Sequence, residues 1–153
     1  MLKENLQKDL NNFLKEKNQT GVNTVRLLLA AILLKEKEKK YKTKEETLTD
    51  EEVLEVIFSE AKKRKESILE FEKGGRDDLV AKEKAELEIL QKYLPEQLSD
   101  EELRKIVKEA VEKVGAKDMK DIGKIMGQVM SKVKGKADGS RVNIIAKELL
   151  GAA

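Results

Sequence analysis

The sequence predicts an all-α protein, and three observations support this. Apolar residues recur every three to four positions along most of the chain, and no segment keeps a two-residue alternation over a strand's length. Charged residues make up 41% of the chain and aromatic residues 3%, which is typical of long solvated helices. The single proline, Pro95, separates two series of helical patterns. We therefore expect an N-terminal helical bundle or hairpin over residues 1–94 and a C-terminal three-helix unit over residues 96–153.

The first two predicted helices are separated by Gly21. The apolar positions of the first are Leu2, Leu6, Leu10, Phe13 and Leu14. Those of the second are Val22, Val25, Leu28, Leu29, Ile32 and Leu33. This second apolar face is wide, as expected for the central helix of a bundle. The Lys/Glu-rich segment 35–46 either extends the second helix or forms a mobile connection.

The third predicted helix is long, and both its ends carry recognisable signals. Thr49 and Glu52 have the spacing of a capping box, which pairs side chains and backbone amides at a helix start. The pair Gly74-Gly75 suits a helix end and turn, because glycine accepts left-handed backbone. Asp77 and Asp78 then suit the start of a fourth helix, where negative charge complements the helix dipole.

Three more helices are predicted after Pro95. Ser99 and Glu102 form a second capping box, which opens a helix that Gly115 ends. Asp118 is a candidate cap for the next helix, and Asp138 or Ser140 for the last. The apolar stripe of the middle helix is Ile122, Ile125, Met126, Val129, Met130 and Val133. We interpret Met119, Met126 and Met130 as core residues.

Composition excludes several kinds of chemistry. The chain has no cysteine and no histidine, so thiol nucleophiles, imidazole acid–base catalysis and the common zinc sites are absent. We predict no catalytic residues, no metal site and no cofactor. The longest apolar run, Leu27 to Leu34, is far shorter than the ~20 residues that span a membrane. Without a recognisable signal segment, a soluble, cytoplasmic protein is expected.

Charge is distributed unevenly and indicates a phosphate-rich partner. Residues 1–95 are neutral overall, and residues 96–112 have a net charge of −3. Residues 113–147 hold nine basic and three acidic residues, a net charge of +6. Such clustering is typical of nucleic-acid binding, although lysine can also simply solvate a surface. The candidate RNA-binding residues are Lys124, Lys132, Lys134, Lys136 and Arg141.

Four glycines in the same region have two candidate roles. Gly123 and Gly127 lie four residues apart on one helix, where they allow close approach of a neighbouring helix or of nucleic acid; helix packing is the favoured interpretation. Gly135 and Gly139 flank a loop whose backbone amides, with those of the following helix, are candidates for holding a phosphate. The spacing of a P-loop is absent.

Several stretches resemble the YqeY-like family along essentially the whole chain. They are Arg26-Leu-Leu-Leu-Ala-Ala31, Gly74-Gly-Arg-Asp-Asp-Leu79, Lys84-Ala-Glu-Leu-Glu-Ile-Leu90, Tyr93-Leu-Pro-Glu-Gln-Leu98, Gly123-Lys-Ile-Met-Gly-Gln-Val-Met130 and Lys134-Gly-Lys-Ala-Asp-Gly139. The C-terminal part is also similar to the tail domain of the B subunit of the tRNA-dependent amidotransferase, which contacts tRNA. The resemblance implies a bacterial helical module that binds tRNA or another structured RNA, with an amidotransferase as a possible protein partner.

Two other functions compete with this interpretation. The chain can be a protein-interaction adaptor that binds a helix through its methionine-rich face or its N-terminal bundle. It can also be an enzyme, since the family association is with carbon–nitrogen ligation using glutamine as the nitrogen donor. No constellation of residues supplies that chemistry, so an enzyme label would rest on association alone.

Overall fold

A computed structural model describes residues 1–151 of the chain. These residues form seven α-helices and one short 3₁₀ helix, and no strand occurs among them, so the predicted all-α fold is confirmed. The helices belong to two compact units, one ending at Leu94 and the other beginning at Pro95. The assignment of residues 1–94 and 96–153 to two separate domains stays a prediction.

The N-terminal unit contains four helices around one core. They are α1 (Leu2–Lys15), α2 (Gln19–Thr43), α3 (Asp50–Lys73) and α4 (Asp77–Gln91). The buried core residues are Leu6, Leu10, Val22, Val25, Leu28, Ile32, Val53, Ile57, Ala61, Ile89 and Leu90. Both ends of α3 follow the sequence prediction: the Thr49–Glu52 capping box is formed, and Gly75 has a φ of +67°.

The predicted break between α1 and α2 at Gly21 is wrong. The chain turns four residues earlier, at Lys17, which has a φ of +57°. The side chain of Asn18 then accepts a hydrogen bond from the Gly21 amide at 3.0 Å. Gly21 therefore lies in the first turn of α2. A Cβ at this position would lie 2.6 Å from ring carbons of Phe13, so the glycine allows that ring to pack against the helix backbone.

The expectation that α2 is a central helix is consistent with its packing against α1, α3 and α4, but its buried face is narrower than predicted. Leu28 and Ile32 are buried, but Leu27, Leu33 and Leu34 remain 54%, 50% and 62% exposed. The Lys/Glu-rich segment after them continues the helix as far as Thr43. The helix therefore presents one apolar side to its own core and a second apolar stripe to solvent.

A long-range hydrogen bond connects the beginning and the end of the N-terminal unit. The Tyr93 hydroxyl, just beyond α4, donates to a carboxylate oxygen of Asp9 in α1 at 2.6 Å. Burial, followed by this bond to Asp9, raises the pKa of the Tyr93 phenol, which therefore stays protonated.

The C-terminal unit contains α5 (Asp100–Val114), a 3₁₀ turn (Met119–Asp121), α6 (Ile122–Val133) and α7 (Gly139–Gly151). Its buried core residues are Leu103, Val107, Ala110, Ile125, Val129, Val133, Ala137, Val142, Ile145, Ala146 and Leu150. The Ser99–Glu102 capping box is confirmed, and Gly115 ends α5 with a φ of +69°. Asp118 caps the 3₁₀ turn rather than α6 itself.

The methionine prediction is partly confirmed. Met126 and Met130 pack against the C-terminal core, as expected. Met119 lies in the 3₁₀ turn and is 43% exposed, so its assignment to the core is wrong. The turn carries Met119 away from the apolar face that α6 buries.

Candidate RNA-binding surface

Four of the predicted RNA-binding residues follow one another along α6 and the loop after it. Lys124 and Lys132 lie on α6, Lys134 directly follows that helix, and Lys136 lies in the loop before α7; all four are exposed. Lys124 and Lys132 are eight residues apart, which places them about 12 Å apart along the helix axis and about 80° apart around it. We call these four residues the basic strip. The amine of Lys124 is 3.9 Å from the Asp121 carboxylate, at the margin of an ion pair.

Gly123 and Gly127 lie on the exposed side of α6, next to Lys124 of the basic strip. A Cβ at either position would have no neighbour within 4 Å, so the favoured prediction that they allow tight helix packing is wrong. Apolar residues of α6 face the core instead, and both glycines are turned outward with Lys124 and Ser131. A ligand can therefore approach the helix backbone on the side that carries Lys124.

The loop between α6 and α7 is held by the segment after Pro95. The Gln97 side-chain amide donates to the carbonyls of Pro95 and Gly135, both at 2.8 Å. The Leu98 amide donates to the carbonyl of Lys136 at 2.9 Å. Gly135 has a φ of +77°, a left-handed conformation that glycine adopts without strain. These bonds fix the backbone from which Lys134 and Lys136 project.

Several amides at the start of α7 that were candidates for holding a phosphate are already hydrogen-bonded within the chain. The amide of Ser140 donates to the Asp138 carboxylate at 3.0 Å, and those of Arg141 and Val142 donate to the Asp138 carbonyl. The amide of Lys136 donates to the carbonyl of Val133 at 2.8 Å. These donors are already used, and the Asp138 carboxylate adds negative charge where the phosphate was expected. The phosphate cradle stays a prediction, with fewer backbone donors than the sequence suggested.

Arg141 is in a different environment from the four lysines. Its Nε donates to the Asp100 carboxylate at 3.0 Å, its Nη2 contacts the same carboxylate more closely, and Nη1 lies 3.5 Å from the Leu98 carbonyl. The arginine thus connects α7 to the first residue of α5. A contact between Arg141 and RNA would compete with the pairing to Asp100, so we place Arg141 at the edge of the candidate surface.

Sequence reasoning missed the residues that support the loop. Gln97 lies 38 positions before Gly135, and no local pattern signals a pairing across that separation. In the sequence, Asp100 is one of the acidic residues in the first turn of α5, and nothing nearby indicates its pairing with Arg141. Beside it, hydrogen bonds from the Ser99 backbone and hydroxyl lower the pKa of the Glu102 carboxyl.

The described part of the chain forms neither a metal-binding cluster nor a membrane span. Across residues 1–151, no three acidic side chains lie together in a way that could hold a metal ion. Within the same range, no helix is both long and apolar enough to cross a bilayer.

Comparison with known proteins relates the chain to two groups. "Altered inheritance of mitochondria protein 41, mitochondrial" from Pyrenophora tritici-repentis is 35% identical over 150 residues, covering 96% of this chain and 80% of the relative. The protein of the same name from Vanderwaltozyma polyspora is 34% identical over 125 residues, covering 76% and 64%. A glutamyl-tRNA(Gln) amidotransferase subunit from Thermococcus gammatolerans is 31% identical over 108 residues, which cover 67% of this chain but 17% of the relative.

A family model described as "Yqey-like protein" matches residues 3–150, nearly the whole chain. The match includes both helical units, the basic strip and the loop that Gln97 supports. The chain belongs to the YqeY-like family.

Proposed function

We propose that the C-terminal unit binds tRNA or another structured RNA through the basic strip, and that the chain is a non-catalytic module related to tRNA-dependent amidotransferases. The observation that carries this proposal is the run of four exposed lysines along α6 and a loop held in place by Gln97 and Leu98. The similarity to part of an amidotransferase subunit supports tRNA as the RNA class.

The composition of the surface favours recognition of a folded RNA by shape and charge. A-form RNA presents phosphates and 2′-hydroxyl groups across a shallow groove, and lysines on a helix and a loop suit such contacts. Residues 95–153 contain no aromatic residue, which argues against a platform that stacks single-stranded bases. The outward-facing Gly123 and Gly127 add space for a ribose or phosphate to approach the backbone.

No chemistry is proposed for the chain alone. The amidotransferase relative from Thermococcus gammatolerans is a much larger protein, and this chain covers 17% of its length. A cytoplasmic location, a bacterial origin and an amidotransferase as protein partner stay predictions. The fungal relatives have names that place those proteins in mitochondria.

The test measures tRNA binding at several salt concentrations. Replacing Lys132, Lys134 and Lys136 by alanine should weaken binding. The plot of log K against log salt has a negative slope, and its steepness should fall by roughly 2–3, since each lost phosphate contact contributes about 0.9. The matched control replaces Lys8, Lys15 and Lys92, three exposed lysines of the N-terminal unit, and should leave the slope unchanged. Equal binding by the two triple variants would reject the surface and favour the adaptor function.

A second variant separates the surface from the fold. Gly127→Leu places a bulky side chain in open space beside Lys124, so circular dichroism should show an intact helical protein. Binding to tRNA should nevertheless weaken, because the leucine blocks approach to the helix. Undiminished tRNA affinity would remove this side of α6 from the proposed surface.

A further inference from the structure

The N-terminal unit has an exposed apolar stripe that the proposed RNA binding does not use. Leu27, Leu33, Leu34 and Tyr41 of α2 are 54%, 50%, 62% and 92% exposed. Leu27, Leu34 and Tyr41 are spaced by seven residues, so they extend over about 21 Å on nearly one side of the helix. Exposed apolar residues grouped on one side of a helix are candidates for a site of interaction.

A groove runs beside this stripe, between α2 and α3. Its volume is about 500 Å³, and its apolar lining is formed by Ala31, Leu34, Leu48 and Val56. Leu34 belongs both to the groove and to the stripe, so the two form one continuous surface. A concave groove that combines apolar residues with lysines and glutamates suits the side chains of an amphipathic helix better than it suits a flat bilayer.

The charges around this surface identify the kind of helix. The carboxylates of Glu38, Glu52 and Glu60 on the groove rim are paired with lysines at 3.4, 2.8 and 2.9 Å, respectively. Among residues 1–151, by contrast, no carboxylate pairs with Arg26 or Lys37, which flank the leucines, or with Lys42 on the rim. Glu55 also lines the groove and already has an interaction of its own. The charges on this surface that remain for a partner are therefore positive, and they are complementary to carboxylates.

We propose that this surface of α2 and α3 binds an amphipathic helix of another protein, with apolar residues every three to four positions and carboxylates along its flanks. The apolar side chains cover Leu27 and Leu34 and enter the groove. The carboxylates meet Arg26, Lys37 and Lys42. A partner that covers the stripe from Leu27 to Tyr41 needs about four helical turns.

The test uses a defined probe. An 18-residue fluorescein-labelled peptide carries leucines at helical spacing and glutamates on both flanks, with staples on its outer face to hold the helix. Fluorescence anisotropy should show binding to the full chain, and a peptide with lysine in place of glutamate should bind much more weakly. Leu27→Gln with Leu34→Gln should reduce affinity roughly tenfold or more, as for central anchor residues.

Two controls keep the result specific. Leu69→Gln alters an apolar residue of α3 that is 58% exposed but outside the stripe, and should leave peptide affinity unchanged. Arg26→Glu with Lys37→Glu should reverse the preference, so that the lysine peptide binds better. All these positions are exposed, and circular dichroism should show unchanged helix content.

Three outcomes would overturn the proposal. One is equal binding of both peptides, which would remove the charge argument. Another is binding to phosphatidylglycerol vesicles that requires Leu27 and Leu34, together with no binding of the glutamate peptide. The third is a dimer in sedimentation that the Leu27→Gln, Leu34→Gln variant abolishes, since a second copy would then cover the stripe. Binding to tRNA should be unchanged in this variant, which keeps the test independent of the proposed RNA surface.

Discussion

Gly127→Ala and Gly21→Ala are the same substitution in two helices, and the structure predicts opposite effects. At Gly127 a Cβ meets no atom within 4 Å. Alanine is favoured over glycine inside a helix by about 1 kcal/mol, so Gly127→Ala should stabilise the C-terminal unit by that amount. For a unit of this size, the corresponding rise in melting temperature is about 4–8 °C.

At Gly21 the same methyl group would overlap the ring of Phe13, with distances of 2.6, 2.6 and 2.8 Å to three ring carbons. The clash includes Phe13 Cγ, the ring carbon that is bonded to Cβ, so the whole ring has to move. Overpacking of this kind costs about 1–3 kcal/mol, which offsets a helix-propensity gain of at most about 1 kcal/mol. Gly21→Ala should therefore destabilise the N-terminal unit by up to about 2 kcal/mol.

Native-state hydrogen exchange measures both changes in the full chain. Amides of α6 report on the C-terminal unit and amides of α2 on the N-terminal unit, so each variant has an internal reference. Slower exchange in α6 is expected for Gly127→Ala, and faster exchange in α2 for Gly21→Ala. Destabilisation by Gly127→Ala would show that a neighbour does pack there, and stabilisation by Gly21→Ala would refute the contact with Phe13.

Two further predictions concern the segment between Pro95 and α5. Gln97→Glu removes the donor that binds the Pro95 and Gly135 carbonyls and puts carboxylate oxygens against them. Urea denaturation should show the C-terminal unit destabilised by about 1–3 kcal/mol. An unchanged urea midpoint would mean that the loop does not depend on this side chain. The pKa of the Glu102 carboxyl is lowered in the folded state. The carboxylate therefore contributes fully to the free energy of unfolding above the unfolded-state pKa near 4.3, and this contribution is lost as pH falls through the lower folded-state pKa. Thermal unfolding should therefore depend less on pH below about pH 5 in Glu102→Gln than in the parent, and parallel profiles would contradict the capping-box origin of the shift.

The elements that the sequence predicted well depend on neighbours within one turn of helix. The capping boxes at Thr49 and Ser99 place partners three residues apart, so their geometry follows from local spacing alone. Gly115 likewise ends α5 because its left-handed conformation is needed at that point. The buried stripe of α6 follows from the helical period.

The errors occur where the environment comes from distant residues. Gly21 was expected to break a helix, but a glycine is needed there because the ring of Phe13 leaves no space for a Cβ. Gly127 was expected to pack tightly, and only the tertiary structure shows which side of α6 turns outward. For the candidate surface, the lysines were visible as charge, whereas the pairing of Arg141 with Asp100 joins residues 41 positions apart.

The bond between Asp9 and Tyr93 joins residues 84 positions apart, and this separation affects the order in which a growing chain can fold. On a ribosome, α1 is made before α4, and Asp9 reaches its partner only after α4 has been completed. At about 5–20 residues per second, that interval is on the order of ten seconds. During this time the apolar side of α1 lacks part of its final cover, and a chain cut short before Tyr93 would lack the bond that closes the bundle.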